Sequence, residues 1–379
     1  MKNHSADVAI VGAGILGLAH AYAAARAGKR VVVFDRSPQA AGASVRNFGM
    51  VWPIGQPSGE LLQLALRSRA IWLELLDATQ LPYRDTGSLH LTYRNDEAAV
   101  AQEFAAIAPG LGYNCCWHSP AQVFEKSEAV QPRGLLGALW SDTELTVDPR
   151  QILAALPAFL AERYGVQFHF STAVRAINAP YLETAACRWH AGHFIVCSGE
   201  DFETLYPTHF AQSGLTRCKL QMLRTAPQPA GWQLGPSLAA GLTLRFYPAF
   251  DVCSTLPALR ARIAQETPEL DRWAIHALVS QTADGALTLG DSHEYGLAVD
   301  VFNKSEIDDL ILEYTHGFLR APQMRIAERW HGVYAKHPDK TLLWMDPEPT
   351  VRIVASPGGS GMTLSMGLGE RMIQEMGIA

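Results

Sequence analysis

The chain has 379 residues, of which 48% are hydrophobic and 18% charged, and a formal net charge of −6 at pH 7. That length suggests two structural domains, or one large domain with an elaborated lobe, with ample apolar material for a core. The mild acidity gives no basic footprint for nucleic acid or for an anionic membrane surface.

From the N-terminus, Asp7 to Val11 is an apolar run that predicts a buried parallel strand. Gly12-Ala13-Gly14-Ile15-Leu16-Gly17 follows at once, then an alanine- and leucine-rich helix over Leu18 to Ala27, ended by Gly28. A second strand, Lys29 to Phe34, delivers Asp35 at its end. In this G-x-G-x-x-G arrangement Gly12 allows the tight turn, Gly14 lets backbone N–H groups approach a pyrophosphate, and Gly17 lets helix and strand pack closely. The phosphates face the positive end of the helix dipole. Asp35 lies 35 − 12 = 23 positions beyond Gly12, where an acid binds ribose hydroxyls and repels a 2′-phosphate. The fingerprint predicts a dinucleotide site, for NAD or FAD, and disfavours NADP.

Further along, a polar, glycine-spaced stretch carries Arg36, Gly42, Ala43, Ser44, Val45, Arg46, Asn47, Gly49 and Met50. A helix is predicted from about Gly59 to Ala78. Short strands are expected at Leu89–Tyr93, Leu220–Thr225, Leu242–Tyr247, Ile275–Thr282 and Ala286–Gly290. Between them come a helix over Arg150–Tyr164 and an apolar strand from His193 that ends at Ser198 and Gly199. Near the C-terminus, strand Thr350–Ala355 leads into Gly358-Gly359-Ser360-Gly361-Met362-Thr363 and a last helix to about Met376. This second glycine turn gathers free backbone N–H groups at a helix start.

These motifs resemble the flavoprotein family that includes glycine oxidase, sarcosine oxidase and D-amino-acid oxidase, along nearly the whole chain. Asp35-Arg36 followed by the Gly42-Ala43-Ser44 loop, Thr86-Gly87-Ser88, Leu145 to Pro149, Val174, His193 to Gly199 and the Gly358–Thr363 turn carry the likeness. The resemblance implies an α/β FAD-binding, Rossmann-like domain with an interleaved α+β substrate domain. Residues 1–75, 145–214 and 325–379 would form the first, and 76–144 and 215–324 the second. It implies FAD held by residues 12–17, Asp35, Arg36, Ser44, Arg46, Asn47, Gly49, Met50, Val174, Ser198, Gly199 and 358–363. The family's covalent histidine position matches Val45, which implies non-covalent FAD.

The implied reaction is dehydrogenation of a C–N bond by hydride transfer to flavin N5. Hydrolysis of the imine and reoxidation by O2 to H2O2 then follow. Relatives similar to glycine oxidase grip the substrate carboxylate with an arginine whose position is Tyr334 here, in Arg329–Pro338. Arg46–Pro53, Gly290–Gly296 and Gly359–Ser365 resemble a branch associated with phosphonate breakdown, implying an amine such as N-methyl-2-aminoethylphosphonate. Tyr334, Lys336, Tyr247, Arg245 and Arg46 are the expected substrate-side residues. Glycine, sarcosine or D-amino-acid oxidation, an amine dehydrogenase with another electron acceptor, an NAD-dependent dehydrogenase and a non-catalytic nucleotide-binding subunit are the alternatives.

Six cysteines without a C-x-x-C pair fit a reducing, cytoplasmic setting. No metal is expected, since neither His190/His193 nor His331/His337 gains a third ligand in sequence. No apolar run reaches bilayer-spanning length, so neither a membrane nor a nucleic acid is an expected partner. Nothing in the sequence marks an oligomeric state.

Overall fold

The computed structural model describes residues 4–378. The expected outer limits of the first region, residues 1–3 and 379, lie outside the described residues.

The buried run at the N-terminus forms the strand His4–Val11, the centre of an eight-stranded sheet. Val31–Phe34 and Arg188–Val196 flank it, both parallel to it, and Gln167–His169 lies beyond Val31–Phe34. All four residues of Val31–Phe34 are buried, as a strand covered on both faces requires. Val351–Ser356 pairs in parallel with the C-terminal half of Arg188–Val196. The helices Ile15–Arg26, Glu60–Thr79, Pro149–Tyr164 and Gly361–Glu375 bury their apolar faces in one cluster against this sheet. Pro149–Tyr164 is punctuated by the sequence itself. Asp148 caps it by accepting from the N–H groups of Arg150 and Gln151, Pro149 occupies its first turn, and Gly165 ends it in the left-handed region.

A nine-stranded, mostly antiparallel sheet forms the second layer and sits over the largest core. Ser88–Thr92, Thr216–Thr225, Ser237–Ala240, Leu278–Gln281 and Leu287–Gly290 are among its strands. Two expectations are corrected here. Residues 242–247 alternate like a strand in sequence, but Gly241–Leu244 is a short helix, and Arg245 to Tyr247 turn away from it. Residues 326–336, expected with the dinucleotide-binding region, form the strand Ile326–Lys336, which pairs with Thr216–Thr225 in the second sheet. The chain returns to the first sheet only at Leu343–Glu348.

Among the described residues no helix is long and apolar enough to cross a membrane.

Candidate functional site

A cleft of about 580 Å³ opens at the C-terminal edge of the parallel strands, between the two sheets. The first glycine turn forms one end. Gly12 has φ +100°, and a Cβ there would stand 2.3 Å from the Cys197 carbonyl oxygen. A Cβ on Gly17 would stand 1.8 Å from the carbonyl oxygen of Gly12, so only glycine lets the helix start this close to the strand. Asp35 accepts hydrogen bonds from the Ala13 N–H at 2.7 Å and the Ser37 N–H at 2.8 Å. Ser44 Oγ accepts from the Ile15 N–H at 2.9 Å, tying the polar loop to the helix start. Asn47 braces that loop, donating to the carbonyls of Ala43 and Ser44 and accepting from the Gly49 N–H.

Of the expected cofactor residues, Gly12, Gly14, Ile15, Leu16, Asp35, Arg36, Ser44, Arg46, Asn47, Met50, Val174, Ser198 and Gly199 line this cleft. Arg36 is also ion-paired with Asp201 at 2.7 Å. Ala13, Gly17 and Gly49 do not line it. Ala13 is buried behind the turn, Gly17 serves the helix–strand contact, and Gly49 packs against the Val147 carbonyl.

The second glycine turn lies in the same cleft. Residues 358–363 all line it, and the helix Gly361–Glu375 begins there. The turn is fastened to the first layer by side chains. Thr363 Oγ1 accepts from the Trp52 N–H at 2.9 Å, Gln56 Nε2 donates to Ser360 Oγ at 3.2 Å, and Trp72 Nε1 donates to the Met362 carbonyl. Two glycine-gated helix starts thus face one cavity. Both present backbone N–H groups and a positive dipole end, a donor set suited to a long, anionic dinucleotide.

The far end of the cleft is walled by the second sheet. Tyr334 and Lys336 reach it from Ile326–Lys336, and Tyr247 from the turn after the short helix. Burial holds the Tyr334 and Tyr247 phenols well above their usual range, so both remain hydrogen-bond donors. The Tyr334 hydroxyl stands 3.2 Å from where a Gly359 Cβ would be, bringing the second sheet against the second glycine turn. Arg46 also lines the cleft, and donates to the His331 carbonyl at 3.1 Å. Arg245 does not. Its side chain is buried behind the wall, 3.5 Å from Asp271 and directed at the carbonyls of Leu270 and Ile275. The turn that replaces the expected strand points Phe246 and Tyr247 inward and Arg245 back.

Three further wall residues carry chemistry: His276, Asp291 and His293. Their donor atoms lie within 4.8 Å of one another, the one such histidine and carboxylate group among the described residues. Asp291 Oδ1 is 3.2 Å from His276 Nε2, though not aligned for a hydrogen bond, and Oδ2 is 3.9 Å from His293 Nε2. The two imidazoles are stacked at 5.3 Å, and Phe246 lies on His276 at 3.9 Å. Burial drives the Asp291 carboxyl well above the usual carboxylate range. It also pushes His276 far below the imidazole range and His293 down to about 4. The short sequence Asp291-Ser292-His293, a carboxylate and an imidazole two apart at a strand end, was the available signal.

A parallel sheet whose first glycine turn opens a cleft, closed by a second glycine turn and an antiparallel wall, defines a flavin-dependent oxidoreductase. The chain belongs to the DAO family of FAD dependent oxidoreductases, whose model matches residues 7–375. Glycine oxidase from Geobacillus kaustophilus is 26% identical over 208 residues. That match spans 52% of this chain and about half, 55%, of that relative. The crystal structure of that glycine oxidase superposes with a TM-score of 0.77 at 19% identity, covering 98% of this chain and 94% of that one. L-proline dehydrogenase from P. horikoshii superposes with a TM-score of 0.76 at 19% identity, covering 99% and 95%. L-α-glycerophosphate oxidase from Mycoplasma pneumoniae, with FAD bound, superposes at 0.74 and 16%, covering 99% and 95%.

FAD is therefore the dinucleotide. The N–H groups of the first turn would suit its diphosphate, and those of the second turn would suit the negative charge that gathers on a flavin on reduction.

Proposed function

We propose that the protein oxidises the C–N bond of a small amine, and that the amine carries a phosphonate, as N-methyl-2-aminoethylphosphonate does. Bound FAD supplies the acceptor for the hydride that leaves the carbon next to nitrogen. The chain's residues orient the amine, exclude water and hold the anionic end. The imine then hydrolyses, releasing formaldehyde and the primary amine from an N-methyl substrate. O2 is the proposed electron acceptor, yielding H2O2, and the cytoplasm, where free thiols stay reduced, is the proposed compartment.

The observation that carries the substrate class is Tyr334. Relatives similar to glycine oxidase present an arginine at this position, whose planar fork matches a carboxylate. Here Lys336, Tyr247 and Tyr334 line the cleft instead, with Tyr295 beside them. A lysine point charge and separate phenol donors suit a tetrahedral anion that offers three oxygens in different directions.

Glycine, sarcosine or D-amino-acid oxidation is the second reading, favoured by the likeness to glycine oxidase. The test is a peroxide and oxygen-uptake assay with N-methyl-2-aminoethylphosphonate beside sarcosine, glycine and D-alanine, with Lys336→Met in parallel. The phosphonate is expected to give the highest kcat/KM, and Lys336→Met to raise its KM at least tenfold. Clear preference for the other three refutes the substrate class. Flavin reduction without oxygen uptake identifies a dehydrogenase.

A further inference from the structure

We propose that Asp291, set between the imidazoles of His276 and His293 in the wall of the cleft, takes the proton of the substrate ammonium, so that the amine is bound with its lone pair free. This inference rests on the amine-oxidising reading above. It does not depend on the phosphonate.

A small alkyl amine reaches a protein at neutral pH as an ammonium ion, and a protonated nitrogen has no lone pair with which to assist hydride departure. Either the enzyme takes only the small free-amine fraction, or a group in the cleft removes that proton. Asp291 is the carboxylate in the wall that lacks a cationic partner. Its ionisable neighbours within ion-pair range are His276 and His293, and burial keeps both neutral. Its remaining titratable surroundings are the Cys218 thiol and the phenols of Tyr247, Tyr295 and Tyr334, which burial first and the Asp291 charge second hold in the protonated state. Lys336 lies on the His293 side, where it helps keep that imidazole uncharged. One Asp291 oxygen, Oδ1, is buried without a hydrogen-bond partner. A buried carboxylate oxygen left so is costly unless a donor arrives, and an ammonium N–H is such a donor.

Burial also decides where the proton rests. In water the ammonium is the weaker acid of the pair by about six pKa units, so an ion pair is favoured. Removal from water penalises both charged partners and neither neutral one, raising the carboxyl and lowering the amine. Burial already raises the Asp291 carboxyl, in the direction that brings the two affinities together. The step is balanced. One N–H bond breaks, one O–H bond forms, ammonium and carboxylate become amine and carboxylic acid, and no electrons are exchanged.

The two histidines act as positioning residues. The Asp291 N–H donates to the His276 carbonyl at 3.1 Å and the His276 N–H to the Asp291 carbonyl at 3.3 Å, fixing the two backbones together. His293 Nδ1 is 3.1 Å from the Ala274 carbonyl, which orients its ring. Phe246 packs on both imidazoles, 3.9 Å from the His276 ring and 4.6 Å from the His293 ring, and so holds the pair that flanks the carboxylate.

The experiment is anaerobic stopped-flow reduction of the FAD-loaded protein by a substrate amine from pH 6.5 to 10.5, for wild type and Asp291→Asn. In wild type the second-order rate of flavin reduction is expected to stay level between protonation of Asp291 in the free enzyme and the pKa of the free amine. Above that point it declines. In Asp291→Asn only free amine reacts, so the rate is expected to climb tenfold per pH unit and then level off. Near pH 7.5 the variant should be slower by roughly 10²- to 10³-fold. A purely structural role for Asp291 would lower the rate at every pH and leave its slope unchanged, and that result overturns the proposal. Wild type alone also decides it. A wild-type rate that climbs tenfold per unit across pH 7 to 9 means that only free amine reacts, whether or not the variant folds. One metal ion per chain in the purified protein, lost in Asp291→Asn, also overturns it. If no amine bleaches the wild-type flavin, the amine-oxidising reading falls first.

Discussion

His90 offers a prediction whose size follows from the structure. The residue sits mid-strand in Ser88–Thr92, fully buried, between the rings of Trp52 and Phe250, each 5.5 Å away. Neither ring nitrogen has a hydrogen-bond partner, and burial pushes its pKa down to about 3. The unfolded chain protonates this side chain near pH 6.5, whereas the folded protein resists protonation. A depressed folded pKa gives stability that is complete above pH 6.5 and is lost as pH falls toward 3. Between pH 7.5 and pH 5.0 the unfolded state alone gains the proton, which removes about 2 kcal/mol of stability. His90→Leu abolishes that loss and fills a similar volume with apolar atoms. At pH 7.5 the variant is expected to match or slightly exceed wild type, because two unpartnered polar atoms are gone. At pH 5.0 it should be ahead by about 2 kcal/mol, a few degrees in Tm. Urea and thermal unfolding of the FAD-loaded proteins at both pH values measure this. Equal losses in variant and wild type would refute the reasoning, since His90 would then not be the group resisting protonation.

Gly17→Ala places a methyl group into the Gly12 carbonyl, so the helix Ile15–Arg26 must lift from the strand and the phosphate-facing turn must move. The purified variant is expected to carry less than a tenth of the wild-type flavin, read from the visible absorbance per chain. Gly28→Ala is the control. Its left-handed backbone costs ~1 kcal/mol, yet nothing lies within 4 Å of the added carbon, and flavin content should stay unchanged. Val45 stands in the short helical turn Ala43–Val45, where a covalently attaching histidine would be expected in relatives. Acid precipitation should therefore leave all flavin in the supernatant, and yellow protein in the pellet would contradict this.

Sequence and structure meet most closely where function is written in consecutive residues. The run from Asp7 to Asp35 combines a buried strand, the glycines Gly12, Gly14 and Gly17 of its turn and a terminal acid, and each has a local physical reason for its place. The Gly358–Thr363 turn was legible for the same cause. The opposite wall was not, because it is assembled from distant pairings. His276 and Asp291 meet by backbone hydrogen bonds across 15 positions, and no spacing rule joins them. The strand Ile326–Lys336 pairs with a partner more than a hundred residues earlier, so its sheet could not be inferred from its neighbours in the chain. Residues 242–247 misled for another reason. Leu242, Leu244 and Phe246 alternate as a strand would, but Leu242 and Leu244 are buried on a single helical turn.

One arrangement bears on how the protein is made. The cleft is lined from Val11 to Thr363, so its two glycine turns, at Gly12 and Gly358, leave the ribosome 358 − 12 = 346 residues apart. A nascent chain that has folded its first sheet strands still lacks half of the cradle. Tight retention of flavin must wait until the second turn has been made, and yellow colour then distinguishes chains that include residues 358–363 from chains that stop before them.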